Sequence, residues 1–348
     1  MKTPLIDIQN LSVRFDTDEG AFRAVDDVSF HIDRGESLGL VGESGCGKSV
    51  TALAVNRLIP SPPGCIESGR VIFENRDLLA IKAPLLRQVR GSAISMIFQE
   101  PLSALSPLHR IGRQMVEGVR FHSAMSKNEA RDYARTWLSK VGIPDAGERM
   151  YAYPFQLSGG MQQRIMIAMA LMLSPSLIIA DEPTTALDVT TQAQIFDLIR
   201  EMKENDTSLL LITHDMGVVW EMCDRVIVMY ASRIVESGPV NDIFFNPAHP
   251  YTAGLLEAVP KLSAQKAHLP AIPGQVPSPF DYPEGCNFQK RCKYVHDRCR
   301  QDTPALVEVG EKHFTACFRA SQPGDRPRGA ALNPQQGNEE TDAARNGT

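Results

Sequence analysis

The sequence predicts an α/β domain with a parallel sheet, and two observations support this prediction. Four apolar segments have the length of buried strands, and polar residues follow three of them. The first segment, 37–41, leads into a glycine-rich loop, and the run after that loop, 50–59, is mostly apolar and predicts a helix. The four segments are 37–41, 94–98, 177–180 and 208–212.

The glycine-rich loop fits the pattern G-x-x-x-x-G-K-[ST]. It consists of Gly42, Glu43, Ser44, Gly45, Cys46, Gly47, Lys48 and Ser49. Glycines let successive backbone N–H groups converge on an anion, and the helix N-terminus adds partial positive charge. Lys48 is expected to reach the β- and γ-phosphates, and the Ser49 hydroxyl to ligate Mg²⁺. A chance glycine turn is the weaker interpretation because strand, loop and helix follow in the right order.

Composition and charge describe an ordinary globular protein. The 348 residues carry a net charge of −5, which does not suggest a nucleic-acid binder. The longest apolar run, 165–173, is half the length of ~18 residues that a membrane span needs. No signal-peptide pattern opens the chain, so we expect a cytoplasmic protein whose seven cysteines are thiols or metal ligands.

Polar residues at the ends of the other predicted strands are candidates for chemistry. Gln99 follows one strand, Asp181 and Glu182 follow the next, and His214 follows the last. Paired carboxylates are costly at a strand end unless they face a cation or water. A polar loop at Gln99, a helix-start cap at Asp181 and a structural role for His214 are the alternatives.

The remaining segments surround this core. Residues 5–32 alternate apolar and polar positions and predict an antiparallel strand pair, in which Phe15 is either a core residue or a platform for a purine. The proline- and glycine-rich stretch 60–70 predicts a loop. Residues 100–157 predict a small inserted helical subdomain, with Ser126 as a helix N-cap.

A second glycine-containing segment precedes the apolar helix at 165–173. Ser158 can cap that helix, while Gly159 and Gly160 leave its first N–H groups open to an anion. The segment therefore predicts a second phosphate-binding helix end.

These segments together resemble the nucleotide-binding subunit of an ABC transporter, from residue 5 to about residue 260. GESGCGKS resembles Walker A, LSGGMQQR the signature and LIIADE Walker B, while Gln99, the ALD at 186–188 and His214 resemble the Q-, D- and H-loops. The resemblance implies a P-loop NTPase cassette, with a RecA-like core, an antiparallel β subdomain and the inserted helical subdomain. Two such cassettes meet head to tail, and each ATP lies between one loop and the other signature.

The resemblance also implies a role for each site residue. Catalysis would use Glu182 as general base with His214, Lys48 and Gln99. Mg²⁺ would be held by Ser49, Gln99 and Asp181, and Phe15 would stack on adenine. The other residues implied in ATP binding are the loop 42–49, Gln99, Ser158, Gly159, Gly160, Gln162 and Asp188.

Four of the seven cysteines fall near the C-terminus, after a proline-rich stretch at 270–283. They are Cys286, Cys292, Cys299 and Cys317. Such clustering suggests a metal, and four thiolates suit zinc or an iron–sulfur cluster, although the spacing chooses neither and chance clustering stays open. HPYT at 249–252 and the stretch 272–292 resemble the C-terminal extension of oligopeptide and dipeptide importer ATPases, which implies a [4Fe–4S] cluster, with zinc as the alternative.

The expected domains are an ABC cassette at 1–258, with its helical subdomain at about 100–157, a cysteine-rich extension at 259–320 and a disordered tail at 321–348. By resemblance the chain is an ATP-hydrolysing subunit of a bacterial importer of di- and oligopeptides, peripheral on the cytoplasmic face of the inner membrane. The implied partners are a second ATPase, expected to be a paralogue, two permease subunits, and a periplasmic or extracellular substrate-binding protein, without nucleic acid. The alternatives are another cargo, such as nickel, glutathione, a sugar or an antimicrobial peptide, or a soluble ABC ATPase acting on nucleic acid.

Overall fold

The chain divides by its contacts into two compact units. A computed structural model describes residues 3–184, 187–203, 206–258 and 272–320. The larger unit comprises residues 1–233 with 278–281, and the smaller unit comprises 234–277 with 282–348. The expected tail at 321–348 lies outside the described residues, and the expected boundary at 258 stays a prediction.

Strands and helices of both units follow one another along the chain. The strands, in chain order, are β1 (Ile6–Thr17), β2 (Gly20–Ile32), β3 (Ser37–Val41), β4 (Gly64–Phe73), β5 (Arg76–Asp77), β6 (Ile94–Ile97), β7 (Leu177–Asp181), β8 (Ser208–Ile212), β9 (Arg225–Tyr230), β10 (Arg233–Pro239), β11 (Val307–Gly310) and β12 (His313–Thr315). The helices are α1 (Lys48–Val55), α2 (Ala83–Val89), α3 (Pro101–Ala104), α4 (Ile111–His122), α5 (Lys127–Lys140), α6 (Ala146–Arg149), α7 (Gly159–Leu171), α8 (Val189–Lys203), α9 (Met216–Met222), α10 (Val240–Phe245), α11 (Pro250–Glu257) and α12 (Asp297–Gln301).

A parallel sheet forms the core of the larger unit. Its strand order is β9-β3-β8-β7-β6, and every neighbouring pair is parallel. The strands are runs of Leu, Ile and Val that are buried on both faces, as parallel sheets require. The four predicted strands are confirmed, with ends that differ by at most one residue. Their carboxyl ends therefore meet at one edge.

A second, antiparallel sheet has the strand order β2-β1-β4-β5. The predicted strand pair at 5–32 is confirmed as β1 and β2, but the predicted loop at 60–70 is wrong, because β4 already begins at Gly64. Its polar residues face outward and hid the strand: Glu67, for example, pairs with Arg23, 2.7 Å away across the sheet surface.

The helix after the glycine-rich loop begins and ends earlier than the sequence predicts. It spans Lys48–Val55 instead of 50–59, because Gly47 serves as its N-cap with a left-handed φ of 104°. At its other end Arg57 also adopts a positive φ of 51°, which ends the helical path before the prolines that begin at Pro60. The start at Lys48 is the useful difference, since it places the lysine in the first turn.

Helices α4 and α5 confirm the helical pattern predicted between 100 and 157. Ser126 caps α5, and a capping box forms, because the Ser126 hydroxyl accepts the Glu129 N–H at 3.3 Å while the Glu129 carboxylate accepts the Ser126 N–H at 2.8 Å. The inward face of α5 is apolar and includes Ala134, Trp137 and Leu138.

The smaller unit contains an antiparallel sheet of β10, β12 and β11. A buried carboxylate organises it: Glu236 accepts N–H groups of Ala248 and His249 at 2.6 and 2.9 Å, and it lies 2.7 Å from His313 Nε2. Three partners compensate a charge that would be costly alone. Among the helices of the described ranges, none is long and apolar enough to cross a membrane.

Candidate functional site

The glycine-rich loop follows the carboxyl end of β3, which is an inner strand of the parallel sheet. Two of its glycines are required by close backbone approaches. A Cβ at Gly42 would lie 2.2 Å from the Met229 carbonyl oxygen, and one at Gly47 would lie 2.2 Å from that of Ala24. Both glycines also have positive φ angles, of 150° and 104°. Tight packing and backbone conformation together exclude larger residues here.

Lys48 points into this loop. Its ammonium donates to the carbonyl oxygens of Gly42 and Glu43 at 2.8 and 3.0 Å, and the residue is only 7% exposed. The Cys46 thiol lies beside it, 3.7 Å from Nζ, and burial raises the pKa of this thiol. The loop therefore places the Lys48 ammonium next to the position of an anion that the N–H groups of the loop would bind.

Asp181 ends strand β7 next to the loop. The Ser49 hydroxyl donates to its carboxylate at 3.1 Å, which joins the first turn of α1 to the end of β7. Asp181 is 4% exposed, and burial, with the neighbouring charge of Glu182, raises its pKa. A buried carboxylate next to a hydroxyl offers oxygen ligands of the kind that Mg²⁺ prefers.

Glu182 is held between two side chains from neighbouring strand ends. Gln99 Nε2 donates to one carboxylate oxygen at 2.9 Å, and His214 Nδ1 lies 3.2 Å from the other. The backbone of Glu182 is left-handed, with φ 47°, and its N–H is bonded to the Ile212 carbonyl at 2.9 Å. Such backbone strain persists where the surroundings fix it. The three polar residues predicted at separate strand ends are thus brought together.

The segment 158–160 forms the start of helix α7. Ser158 caps this helix by accepting the Met161 N–H at 3.3 Å, as predicted, and Ser158 and Gly159 are exposed. Gln162 is turned back into its own segment, donating to the carbonyls of Pro154 and Leu157 at 2.9 and 3.0 Å. The helix begins at the surface of the larger unit, since Ser158 and Gly159 are both exposed.

Asp188 lies in front of helix α8. Its carboxylate accepts the N–H and the hydroxyl of Thr191 at 3.0 and 2.8 Å, and these bonds lower the pKa of Asp188. Like Ser158, Asp188 hydrogen-bonds within its own segment. The role expected for each of these residues on a second cassette stays a prediction.

Phe15 lies on strand β1 with its ring against a second aromatic ring. Its cross-strand partner Phe22 stacks on it, with ring centroids 5.7 Å apart and an angle of 16° between the planes. On the other neighbouring strand, a Cβ at Gly64 would lie 2.9 Å from the Phe15 ring. The sequence pattern did not single out Phe22, although two aromatics at a predicted hairpin were visible in it.

A buried glutamine is another residue that the sequence pattern did not reveal. Gln163, on α7, is fully buried and donates to the Pro183 carbonyl, immediately after Glu182. It links the capped helix to the segment that carries the carboxylate pair. Two adjacent amides, Gln162 and Gln163, near the start of a largely apolar helix were the available signal.

The four clustered cysteines line one small cavity in the smaller unit, as the sequence suggests. His249, Phe288 and Tyr294 also line it. Gly285 allows the backbone at 285 to approach the backbone of Cys299 closely, because a Cβ at Gly285 would lie 2.5 Å from the Cys299 carbonyl oxygen. Burial raises the pKa of the Cys286 thiol to about 12 and also raises the pKa values of Cys292 and Cys317.

Two other properties of this cavity bear on a metal. His249 is fully buried, its Nδ1 accepts the Tyr251 N–H at 3.0 Å, and burial lowers its pKa to about 3, so the ring is neutral. Within the described part of the chain, no group of three or more His, Cys, Asp or Glu side chains is placed to hold a metal ion. The expected iron–sulfur cluster is therefore unsupported by the arrangement of the side chains.

Two family models match this chain. The model described as ABC transporter matches residues 25–185, and the model described as the C-terminal region of oligopeptide/dipeptide transporters matches 235–299. A probable peptide ABC transporter ATP-binding protein of Sinorhizobium fredii is 49% identical over 320 residues, which cover 91% of this chain and 96% of that protein. The dipeptide transport ATP-binding protein of Bacillus subtilis is 47% identical, with coverage of 91% and 95%.

A solved structure supports the same classification. The dimeric structure of a bacterial ABC transporter cassette superposes with a TM-score of 0.61 at 28% identity, covering 68% of this chain and 98% of that one. The fold, the phosphate loop and the strand-end cluster define an ABC ATPase cassette. The chain belongs to the ABC transporter family, as an ATP-binding subunit of its oligopeptide/dipeptide group, so the expected ABC cassette fold and the ATPase activity are confirmed.

We predict that Asp181→Asn stabilises the nucleotide-free protein at pH 7, by about 1 kcal/mol. The amide removes a buried charge and keeps an oxygen for the Ser49 hydroxyl. Because the folded-state pKa of Asp181 is raised, the carboxylate destabilises the fold only above the ordinary value of 3.8, so the advantage should vanish on acidification. Urea unfolding at several pH values measures this.

Asp197→Asn is the matched control, since that carboxylate is largely exposed and pairs with Arg200 on the surface. It should leave the free energy of unfolding unchanged or slightly lower. A loss of stability in Asp181→Asn at pH 7 would contradict the expected cost of the buried charge.

Proposed function

We propose that this chain hydrolyses ATP to drive the uptake of peptides through a membrane complex of an importer. The observation that carries the proposal is the placement of Glu182, held by Gln99 and His214 beside the loop that contains Lys48. The peptide cargo is supported by the names of the relatives and by the match of 235–299 to the oligopeptide/dipeptide C-terminal region.

Each residue of the site has its own proposed role in the reaction. Lys48 and the loop N–H groups bind the phosphates, and Ser49, Asp181 and Gln99 are the residues that would hold Mg²⁺. Glu182 accepts a proton from the attacking water, and Gln99 and His214 orient its two carboxylate oxygens. The residues fit Mg²⁺ because a hydroxyl, an amide and a buried carboxylate supply oxygen donors.

A second ATPase completes the site in this proposal. Ser158 and Gly159 at the start of helix α7 are exposed, and a Cβ at Gly159 would meet no atom within 4 Å. Such a helix end suits the γ-phosphate of ATP held on another cassette. The chain contains one phosphate loop and one such segment, so the partner is a second copy or, by resemblance, a paralogue.

The permease subunits are proposed to dock on the helical region. A groove of about 720 Å³ runs along α4 and carries five cations and one acid. Tyr151, 52% exposed, lies on its rim with the Arg131 guanidinium over the ring at 5.1 Å. The cations are Arg110, Arg113, Arg120, Lys127 and Arg131. A helix of a membrane subunit with acidic residues fits this charge.

The periplasmic substrate-binding protein and the position at the inner membrane belong to the same proposal.

We predict that Glu182→Gln lowers ATP turnover of the assembled complex by ~10²–10⁴-fold, because the amide cannot accept a proton. ATP binding should persist, and the variant should accumulate as an ATP-bound dimer of cassettes. Phosphate release and size-exclusion chromatography with ATP measure the two effects, and uptake of a labelled dipeptide by cells reports the cargo.

Glu201→Gln, an exposed change on helix α8, serves as the matched control and should leave all three measurements unchanged. Full turnover in Glu182→Gln would exclude this residue as general base. Normal turnover in the wild type without any dipeptide uptake, when the binding protein is present, would exclude the proposed cargo and leave the ATPase intact.

We predict that reversing charge in the groove, with Arg113→Glu and Arg120→Glu together, reduces co-purification of the permease subunits at least tenfold. Two reversed charges repel an acidic helix at short range. Arg135→Glu, on the exposed face of α5 in the same region, is the control and should not affect the yield. Equal recovery of permeases with both proteins would place the docking surface elsewhere.

The four-cysteine cavity is proposed to hold a [4Fe–4S] cluster. Four thiols on one cavity supply the donor set of such a cluster, so the residues fit it by their chemistry. The described side chains contain no group already placed to hold a metal ion, and four thiols suit zinc as well as iron. The preference for iron over zinc comes from the resemblance of this extension to that of oligopeptide and dipeptide importer ATPases. The group would stabilise the smaller unit, whose core otherwise rests on few elements.

We predict that protein purified without oxygen is brown and contains about four irons per chain. Cys292→Ser should lose the colour and most of the iron and should lower the melting temperature of the smaller unit. Cys65 is a half-buried cysteine of β4, and Cys65→Ser is the control that should keep the colour, the iron content and the melting temperature. A colourless anaerobic preparation with one zinc per chain would contradict the cluster.

A further inference from the structure

Three phenylalanine rings form a row in the larger unit. The Phe15 and Phe22 rings are stacked, and the ring of Phe280 meets Phe22 edge-on, with centroids 4.9 Å apart and an interplanar angle of 69°. Both distances lie in the favourable range for aromatic pairs. The first ring of the row is the one proposed to stack on adenine, and the last comes from a segment 265 residues later in the chain.

The segment 278–281 carries Phe280 and belongs by its contacts to the larger unit, although the residues on both sides of it belong to the smaller one. A tight turn presents the ring: the Phe280 N–H is bonded to the Ser278 hydroxyl at 3.3 Å, and the Asp281 N–H to the Ser278 carbonyl at 2.9 Å. The ring also covers Gly20, where an added Cβ would lie 3.7 Å from it. The turn thus packs on the tip of the β1–β2 hairpin.

Phe280 is 42% exposed, so part of its ring remains accessible to solvent beside the contact with Phe22. Its packing partner, Phe22, is the residue that covers one face of Phe15. On another side the Phe15 ring lies against the backbone at Gly64, where no Cβ could fit. The orientation of Phe15 is therefore set by Gly64 and Phe22, and the orientation of Phe22 depends in turn on Phe280.

We propose that Phe280 is a positioning residue for ATP: through Phe22 it fixes the ring of Phe15 in the orientation that stacks on the adenine base. The inference rests on the proposed stacking role of Phe15. A ring that is held in place before the nucleotide arrives loses less freedom on binding, so preorganisation raises the affinity for the base. The phosphate loop is not part of this row, and its affinity for the phosphates should not depend on Phe280.

The test compares ATP with inorganic tripolyphosphate, which has phosphates and no base. Binding to the full chain is measured by calorimetry for the wild type, Phe280→Ala and Phe280→Tyr. We expect Phe280→Ala to raise the Kd for ATP about two- to tenfold, the range of one aromatic pair, and to leave the Kd for tripolyphosphate unchanged. Phe280→Tyr keeps the ring and should restore the affinity.

Leu306→Ala is the matched control, because Leu306 is 41% exposed, much like Phe280, and belongs to the smaller unit. It should change neither Kd. Equal weakening of both ligands in Phe280→Ala would indicate a general loss of structure and would overturn the positioning role, as would an unchanged Kd for ATP.

Phe15→Ala separates this inference from the proposed function. If Phe15→Ala leaves the Kd for ATP unchanged, the stacking role itself is wrong. If Phe15→Ala weakens ATP and Phe280→Ala does not, only the present inference fails. The double variant should bind ATP no more weakly than Phe15→Ala alone, since Phe280 acts through that ring; additive losses would contradict this route.

Discussion

Hydrogen bonding between parallel strands is the constraint on which the rest of this site depends. Ala180 of β7 pairs with Ile97 of β6 and with Leu211 of β8, and Leu40 of β3 pairs with Ile212 of β8. These pairings align the strand ends, so that residues far apart in sequence follow one edge. A shift of one residue in β7 would turn its side chains to the opposite face and separate Asp181 from Ser49.

Within the described ranges, buried charge is tolerated at three places, each with its own compensation. Lys48 is satisfied by backbone carbonyls of its own loop, and Glu236 by two N–H groups and His313. Asp181 has one hydroxyl donor and a carboxylate next to it, which is the least compensated arrangement of the three. The fold thus keeps a poorly compensated negative charge at the end of β7, where we propose that Mg²⁺ binds, and this charge lowers the stability of the nucleotide-free protein.

The smaller unit differs from the larger in what holds it together. The larger unit has a double-sided apolar sheet, whereas the smaller has three short strands, a buried carboxylate network and a cavity lined by thiols. The smaller unit also buries apolar side chains, such as Ile243, Phe244 and Leu256, and specific polar contacts supplement this small core. The turn that carries Phe280 belongs by its contacts to the larger unit and packs on the β1–β2 hairpin.

Local sequence patterns determined much of this protein. Apolar runs of strand length predicted the parallel sheet, the glycine spacing predicted the phosphate loop, and Ser126 and Ser158 were recognisable as helix caps, because each signal arises within a few residues. The resemblance of the ordered motifs supplied the family. The loop predicted at 60–70 was wrong because β4 is stabilised by pairing with β1, which no local pattern reveals.

Tertiary structure alone decided how the separate signals combine. Gln99, Glu182 and His214 come from different strands, and only the strand order shows that the two side chains hold one carboxylate. Phe280 carried no signal in the sequence, since an isolated aromatic in a proline-rich stretch predicts nothing about its partner. Turns, caps and strand lengths depend on neighbouring residues, so the sequence by itself determined them. Long-range packing depends on the whole chain, so only the tertiary structure decided which side chains meet.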